Sequence, residues 1–139
     1  MLQFYFLSVV SNLLGGLTLC SDWFAGKFAG LTAILAALSV RRAKMATGLF
    51  TLLVGFGTLF VPAEPPIVLG DLFPSLAGMA MGVALLFEVF KQDALFPAER
   101  VDNRTDRSEK MATGYRMAIG VIGLAAAVLH FFLPERLIL

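Results

Sequence analysis

Four apolar runs, at 2–20, 45–61, 72–90 and 111–133, are each of a length that can cross a bilayer, for which about 20 residues of helix are needed. Hydrocarbon offers the backbone no hydrogen-bond partner, so a run of this kind must satisfy its own N–H and C=O groups as a helix. The chain is therefore expected to be an all-α, polytopic membrane helix bundle, a single transmembrane domain over 1–139. Composition agrees: 58% of residues are hydrophobic and the mean hydropathy is +0.83, above the roughly 45–50% apolar content of soluble domains. No Lys or Arg precedes the first run, as a secretory signal would require, so that run reads as a retained span.

A fifth run, 23–40, reads "WFAGKFAGLTAILAALSV" and carries Lys27. A helix lying on the membrane surface needs a charged face, and on a helical wheel Lys27 stands alone. The run is thus expected to cross, with Lys27 snorkelling to the headgroups, giving five transmembrane helices. The alternative is four spans plus a re-entrant or interfacial segment at 23–40.

Basic residues set the orientation. Arg41, Arg42 and Lys44 lie between spans two and three, and Lys91, Arg100, Arg104, Arg107 and Lys110 in the loop 91–110, whereas the Pro-rich connection 62–71 has none. The positive-inside rule makes the two basic loops cytoplasmic, so five spans put the N-terminus inside and the C-terminus outside a plasma membrane of the bacterial inner-membrane kind. Lys27 and Arg136 are exceptions. Arg41, Arg42, Lys44, Lys110 and Arg116 are expected to meet lipid headgroups or a partner at the cytoplasmic surface.

The word "KMATG" occurs at 44–48 and again at 110–114, and at the same offset of 66 Gly16 matches Gly82, Leu19 matches Leu85 and Gly57 matches Gly123. Five crossings would run spans one and four in opposite directions, which excludes a parallel duplication. The word then reads as the entry of a packed helix at the inner surface, used twice.

Along the first span Ser8, Ser11, Asn12, Gly15, Thr18 and Asp22 recur every three or four residues and form one stripe. Unpaired polar groups are costly in hydrocarbon, so the stripe must face protein or water. It is either interhelical glue or a polar path toward Asp22. Gly26 and Gly30, and Gly78 and Gly82, form GxxxG pairs suited to close helix packing. Glu88 has Lys91 at i+3 as a local partner. Asp22, beside Trp23, reads as an outer interfacial residue, and His130 as a satisfied interfacial histidine.

Function classes are narrowed by what is missing. There is no GxxxxGK[ST], HExxH or GxSxG, and Cys20 is the single cysteine, so no catalytic residue, metal site or cofactor is expected. Eleven basic against ten acidic residues leave no surplus for nucleic acid. The expectation is a non-enzymatic membrane subunit whose partners are the lipid bilayer and other membrane chains, through Gly/Ala faces and a charged cytoplasmic docking loop. The alternative is a homo-oligomeric small-solute or ion transporter using the first-span seam.

Overall fold

The computed structural model describes residues 2–60, 68–94 and 104–132, and these are almost wholly helical. In chain order they form α1 (Leu2–Leu19), α2 (Ser21–Ala25), a 3₁₀ turn at Ala29–Leu31, α3 (Thr32–Ser39), α4 (Arg41–Phe60), α5 (Val68–Ala94) and α6 (Arg104–Phe132). Three helical stretches are long and apolar enough to cross a membrane: Arg41–Phe60, Leu72–Lys91 and Thr113–Phe132. The apolar α1 has 18 residues and rises about 27 Å. The helices α5 and α6 reach beyond the apolar runs into the basic loop, of which 95–103 lies outside the described residues; so does the connection 61–67.

Side-chain contacts fix the direction of each long helix. The Tyr5 hydroxyl, early in α1, donates to the carbonyl of His130, late in α6, while the Arg116 Nε donates to the carbonyl of Leu19 over 3.1 Å. These two helices are antiparallel. So are α4 and α5, since Lys44 meets Glu88 and Thr58 meets Ser75. A bond from Asn12 to Pro74 near one end and the packing of Gly15 near Met81 further on make α1 and α5 parallel. Buried Leu19, Met81 and Leu85, flanked by Ala84 and Ile119, form the apolar centre where these helices meet.

The structure does not bear out five spanning helices, because 23–40 is not one continuous helix. Leu19, where α1 ends, and Lys44, one turn into α4, both reach the same cluster around Arg116 and Glu88. The chain thus leaves and re-enters the bundle at one end. Between them α2 has five residues and α3 eight, and α3 rises only about 12 Å against a hydrocarbon core of about 30 Å. The helix is interrupted at Phe28, whose backbone is non-helical (φ −124°, ψ 90°), and stops at extended Val40. Apolarity all round a segment shows that it avoids water, not that it continues straight. Here Leu35 is buried and most of its neighbours are exposed.

In the structure α1 and α5 run parallel, which removes the objection to a parallel repeat. The pairs α1/α4 and α5/α6 are two hairpins whose first helices run together and whose contacts are exchanged. A Cβ on Gly16 of α1 would come within 2.9 Å of the Gly120 carbonyl and 2.7 Å of Leu124 in α6. A Cβ on Gly82 of α5 would come within 2.8 Å of the Gly48 carbonyl and 2.7 Å of Leu52 in α4. The Cβ of Leu19 faces Gly120 as that of Leu85 faces Gly48, each at 3.0 Å from a Cβ placed on the glycine. The first helices correspond at an offset of 66, as Gly16 to Gly82 and Leu19 to Leu85; the second correspond at 72, as Gly48 to Gly120 and Leu52 to Leu124. The two copies of "KMATG" are therefore out of structural register. Lys44 is matched by Arg116, not by Lys110.

Candidate functional site

Four charged side chains from four parts of the chain converge at the end of the bundle where α1 finishes and α4 begins. Arg116 of α6 is the hub: its Nη1 donates to Glu88 Oε1 over 3.0 Å, its Nη2 to Asp22 Oδ2 over 2.5 Å, and its Nε to the Leu19 carbonyl. Lys44 Nζ donates to the same Glu88 Oε1 over 2.6 Å. The Lys44, Glu88 and Arg116 side chains are 10%, 19% and 21% exposed, and Asp22 is 78% exposed. Two cations and two carboxylates neutralise one another where desolvation would make a lone charge costly.

This arrangement corrects several expectations. Glu88 bonds to Lys44 and Arg116 rather than to Lys91, which is exposed. Lys44 and Arg116 both bind carboxylates. Asp22 lies at the same end of the bundle as Lys44. Arg41 and Arg42 are exposed at the start of α4, and the Lys110 side chain lies outside the described residues.

The stripe on α1 faces protein. Ser8, Ser11, Asn12 and Thr18 are all buried. The Ser11 hydroxyl donates to the Ser8 carbonyl over 3.0 Å and that of Thr18 to the Leu14 carbonyl over 2.7 Å, so each hydroxyl is satisfied within its own helix. Asn12 Nδ2 donates to the Pro74 carbonyl over 3.0 Å. Gly78 makes room here, since a Cβ on it would stand 2.9 Å from Asn12 Oδ1. One turn away Thr58 and Ser75 share a hydroxyl–hydroxyl bond of 2.7 Å. Three buried atoms, Asn12 Oδ1, Ser21 Oγ and Glu88 Oε2, have no hydrogen-bond partner among the described residues.

The glycines divide. Gly78 and Gly82 are consumed inside the bundle, against α1 and α4. Gly26 and Gly30 are exposed, and a Cβ on Gly30 would meet open space. They do not share a continuous helix, because the break at Phe28 falls between them. Lys27 places its ammonium 4.6 Å from the centroid of the Trp23 ring, a cation–π contact.

Sequence reasoning missed a groove of about 790 Å³ between α5 and α6. Leu76, Ala80, Val83, Phe87 and Ile119 line its length, while Glu88, Lys91, Tyr115 and Arg116 stand at one end. The signal was the unbroken apolar face of 72–90 ending at Glu88 and Lys91, but its open side depends on how α6 crosses α5. His130 is buried against the Tyr5 ring, centroids 4.5 Å apart. Among the described residues no group of three or more His, Cys, Asp or Glu could hold a metal ion.

No curated protein and no solved structure matches the chain. A protein-family model of uncharacterised function matches residues 1–130, which take in nearly all of the helical bundle. The chain belongs to that uncharacterised family.

Proposed function

We propose that this is a non-enzymatic integral membrane subunit of a larger membrane complex, crossing the membrane four times through α1, α4, α5 and α6 with 21–40 as a re-entrant or interfacial segment. The basic residues favour this path. Lys27, an exception under five crossings, now falls at the end shared by Arg41, Arg42, Lys44 and Lys91. That end is cytoplasmic by the positive-inside rule, and the start of α1 and the end of α6 face outward. The N-terminal side is thereby the reverse of the five-span expectation.

One observation carries the subunit reading: the polar stripe of α1 is buried against protein, whereas the segment 21–40 turns Gly26, Gly30, Ala33 and Ala37 outward. Small exposed residues let another helix approach closely. The basic loop, whose residues 95–103 lie outside the described part, is the second proposed docking element. The transporter alternative needs the α1 seam to meet water, and the burial of Ser8, Ser11, Asn12 and Thr18 counts against it. Extraction in mild detergent followed by mass measurement tests the proposal. Foreign membrane chains in fixed ratio are expected, and a pure homo-oligomer overturns it.

A further inference from the structure

We infer that the groove between α5 and α6 holds one acyl chain of an anionic phospholipid, with the lipid phosphate against Lys91. The inference rests on the four-crossing placement proposed above. From Leu76 to Phe87 the apolar floor of the groove runs eleven residues along α5, about 16 Å at the rise of an α-helix. That is half of a hydrocarbon core of about 30 Å, the depth of one leaflet. The groove opens at the end where the charged residues gather, so a chain lying in it has its headgroup at their level.

Charge selects the headgroup. Among the described residues that line the mouth, Lys91 and Arg116 stand against Glu88, a surplus of one positive charge. Lys44 and Arg116 are bound to the carboxylates, while Lys91 is exposed and makes no ion pair among the described residues. One phosphodiester carries the single negative charge that balances it. Tyr115 lies at the same mouth, where an aromatic hydroxyl suits the headgroup region. Basic pockets between membrane helices on the cytoplasmic side are a recurrent site for anionic headgroups.

The other half of the bundle shows what such a face accepts. The outer side of α1 and α4 corresponds to that of α5 and α6, and there α3 packs against both helices with Leu35 buried. The first hairpin thus covers its face with an apolar segment of its own, entering from the charged end. The groove on the second hairpin takes a lipid chain in the equivalent place.

The test uses the full chain in nanodiscs of phosphatidylglycerol and phosphatidylcholine in equal amounts, with retained lipid counted by native mass spectrometry. One phosphatidylglycerol per chain is expected, preferred over phosphatidylcholine by about fivefold, the worth of one lysine near an anionic surface. Lys91→Gln should bring the two lipids to parity, and Ala84→Phe, which fills the groove, should abolish retention of both. Should Ala84→Phe lose helicity by circular dichroism, Val83→Trp on the exposed rim replaces it. Retention unchanged in both kinds of variant overturns the inference, as does equal retention of the two lipids by the unmodified chain. A dimer dissociated by the groove-filling variant also overturns it, by placing a second copy there. Foreign chains that still co-purify while lipid retention fails separate this inference from the subunit proposal.

Discussion

Asp22 of the first hairpin reaches across to Arg116 of the second, and Glu88 of the second reaches back to Lys44 of the first. The four residues occupy corresponding positions, 22 with 88 and 44 with 116, so the same bond is made twice with its direction exchanged. The surroundings differ. Asp22 sits at a helix-to-turn junction and is largely exposed, whereas Glu88 lies within α5, is mostly buried, and receives both cations. An equivalent position therefore does not imply equal energetic weight: burial turns one carboxylate into a hub and leaves the other a surface partner.

The largest expected effect separates those two carboxylates. Glu88→Ala strands Lys44 and leaves Arg116 only Asp22 among the carboxylates, and should cost about 3–5 kcal/mol, the range for removing one partner from a buried pair. Loss of helical signal on titration with a denaturing detergent measures it. Next come the paired helix crossings. Gly82→Ala and Gly16→Ala should each destabilise by about 1–3 kcal/mol through overpacking. Gly82→Ala should be the worse, since its Cβ would also press on the Leu52 backbone nitrogen at 2.7 Å, whereas Gly16 meets the flexible Leu124 side chain. Gly57→Ala, where a Cβ meets nothing within 4 Å, should instead stabilise by roughly 0.5–1 kcal/mol. Unequal signs for Gly16 and Gly82 would break the correspondence of the halves.

Asn12→Leu is expected to cost about 0.6 kcal/mol, the typical worth of an interhelical hydrogen bond in a membrane, and it alters a contact of α1 with α5 that no residue of the other half duplicates. The smallest effect is that of Asp22→Ala, about 0.5 kcal/mol or less for an exposed ion pair. The same detergent titration compares it with Glu88→Ala, and equal losses for the two would contradict the burial argument.

The four long helices and the need of the α1 stripe to turn away from lipid were legible in the sequence, because both rest on periodicity and on the cost of polar groups in hydrocarbon. The partners of the charged residues were not. Lys91 at i+3 is the nearest cation to Glu88 along the chain, yet Lys44 and Arg116 reach it from other helices, and local spacing carries no information about such convergence. The segment 23–40 misled for a related reason: hydropathy records what medium a residue tolerates, while a turn at Gly26 to Phe28 decides the path. The expectation of a fifth crossing also hid the repeat, since it set α1 antiparallel to α5. The literal word "KMATG" pointed to a duplication at one offset, but the second helices are displaced by six further residues and match through glycine, leucine and a cation instead.

The most direct test of the four-crossing path is cysteine accessibility from each side of sealed vesicles, in a Cys20→Ser background with single substitutions Gln3→Cys, Lys27→Cys, Arg41→Cys and Lys91→Cys. Labelling of positions 27, 41 and 91 from one face and of position 3 from the other is the predicted result. Position 27 labelled from the face opposite to 41, with position 3 on the same face as 91, would contradict it and restore the fifth crossing.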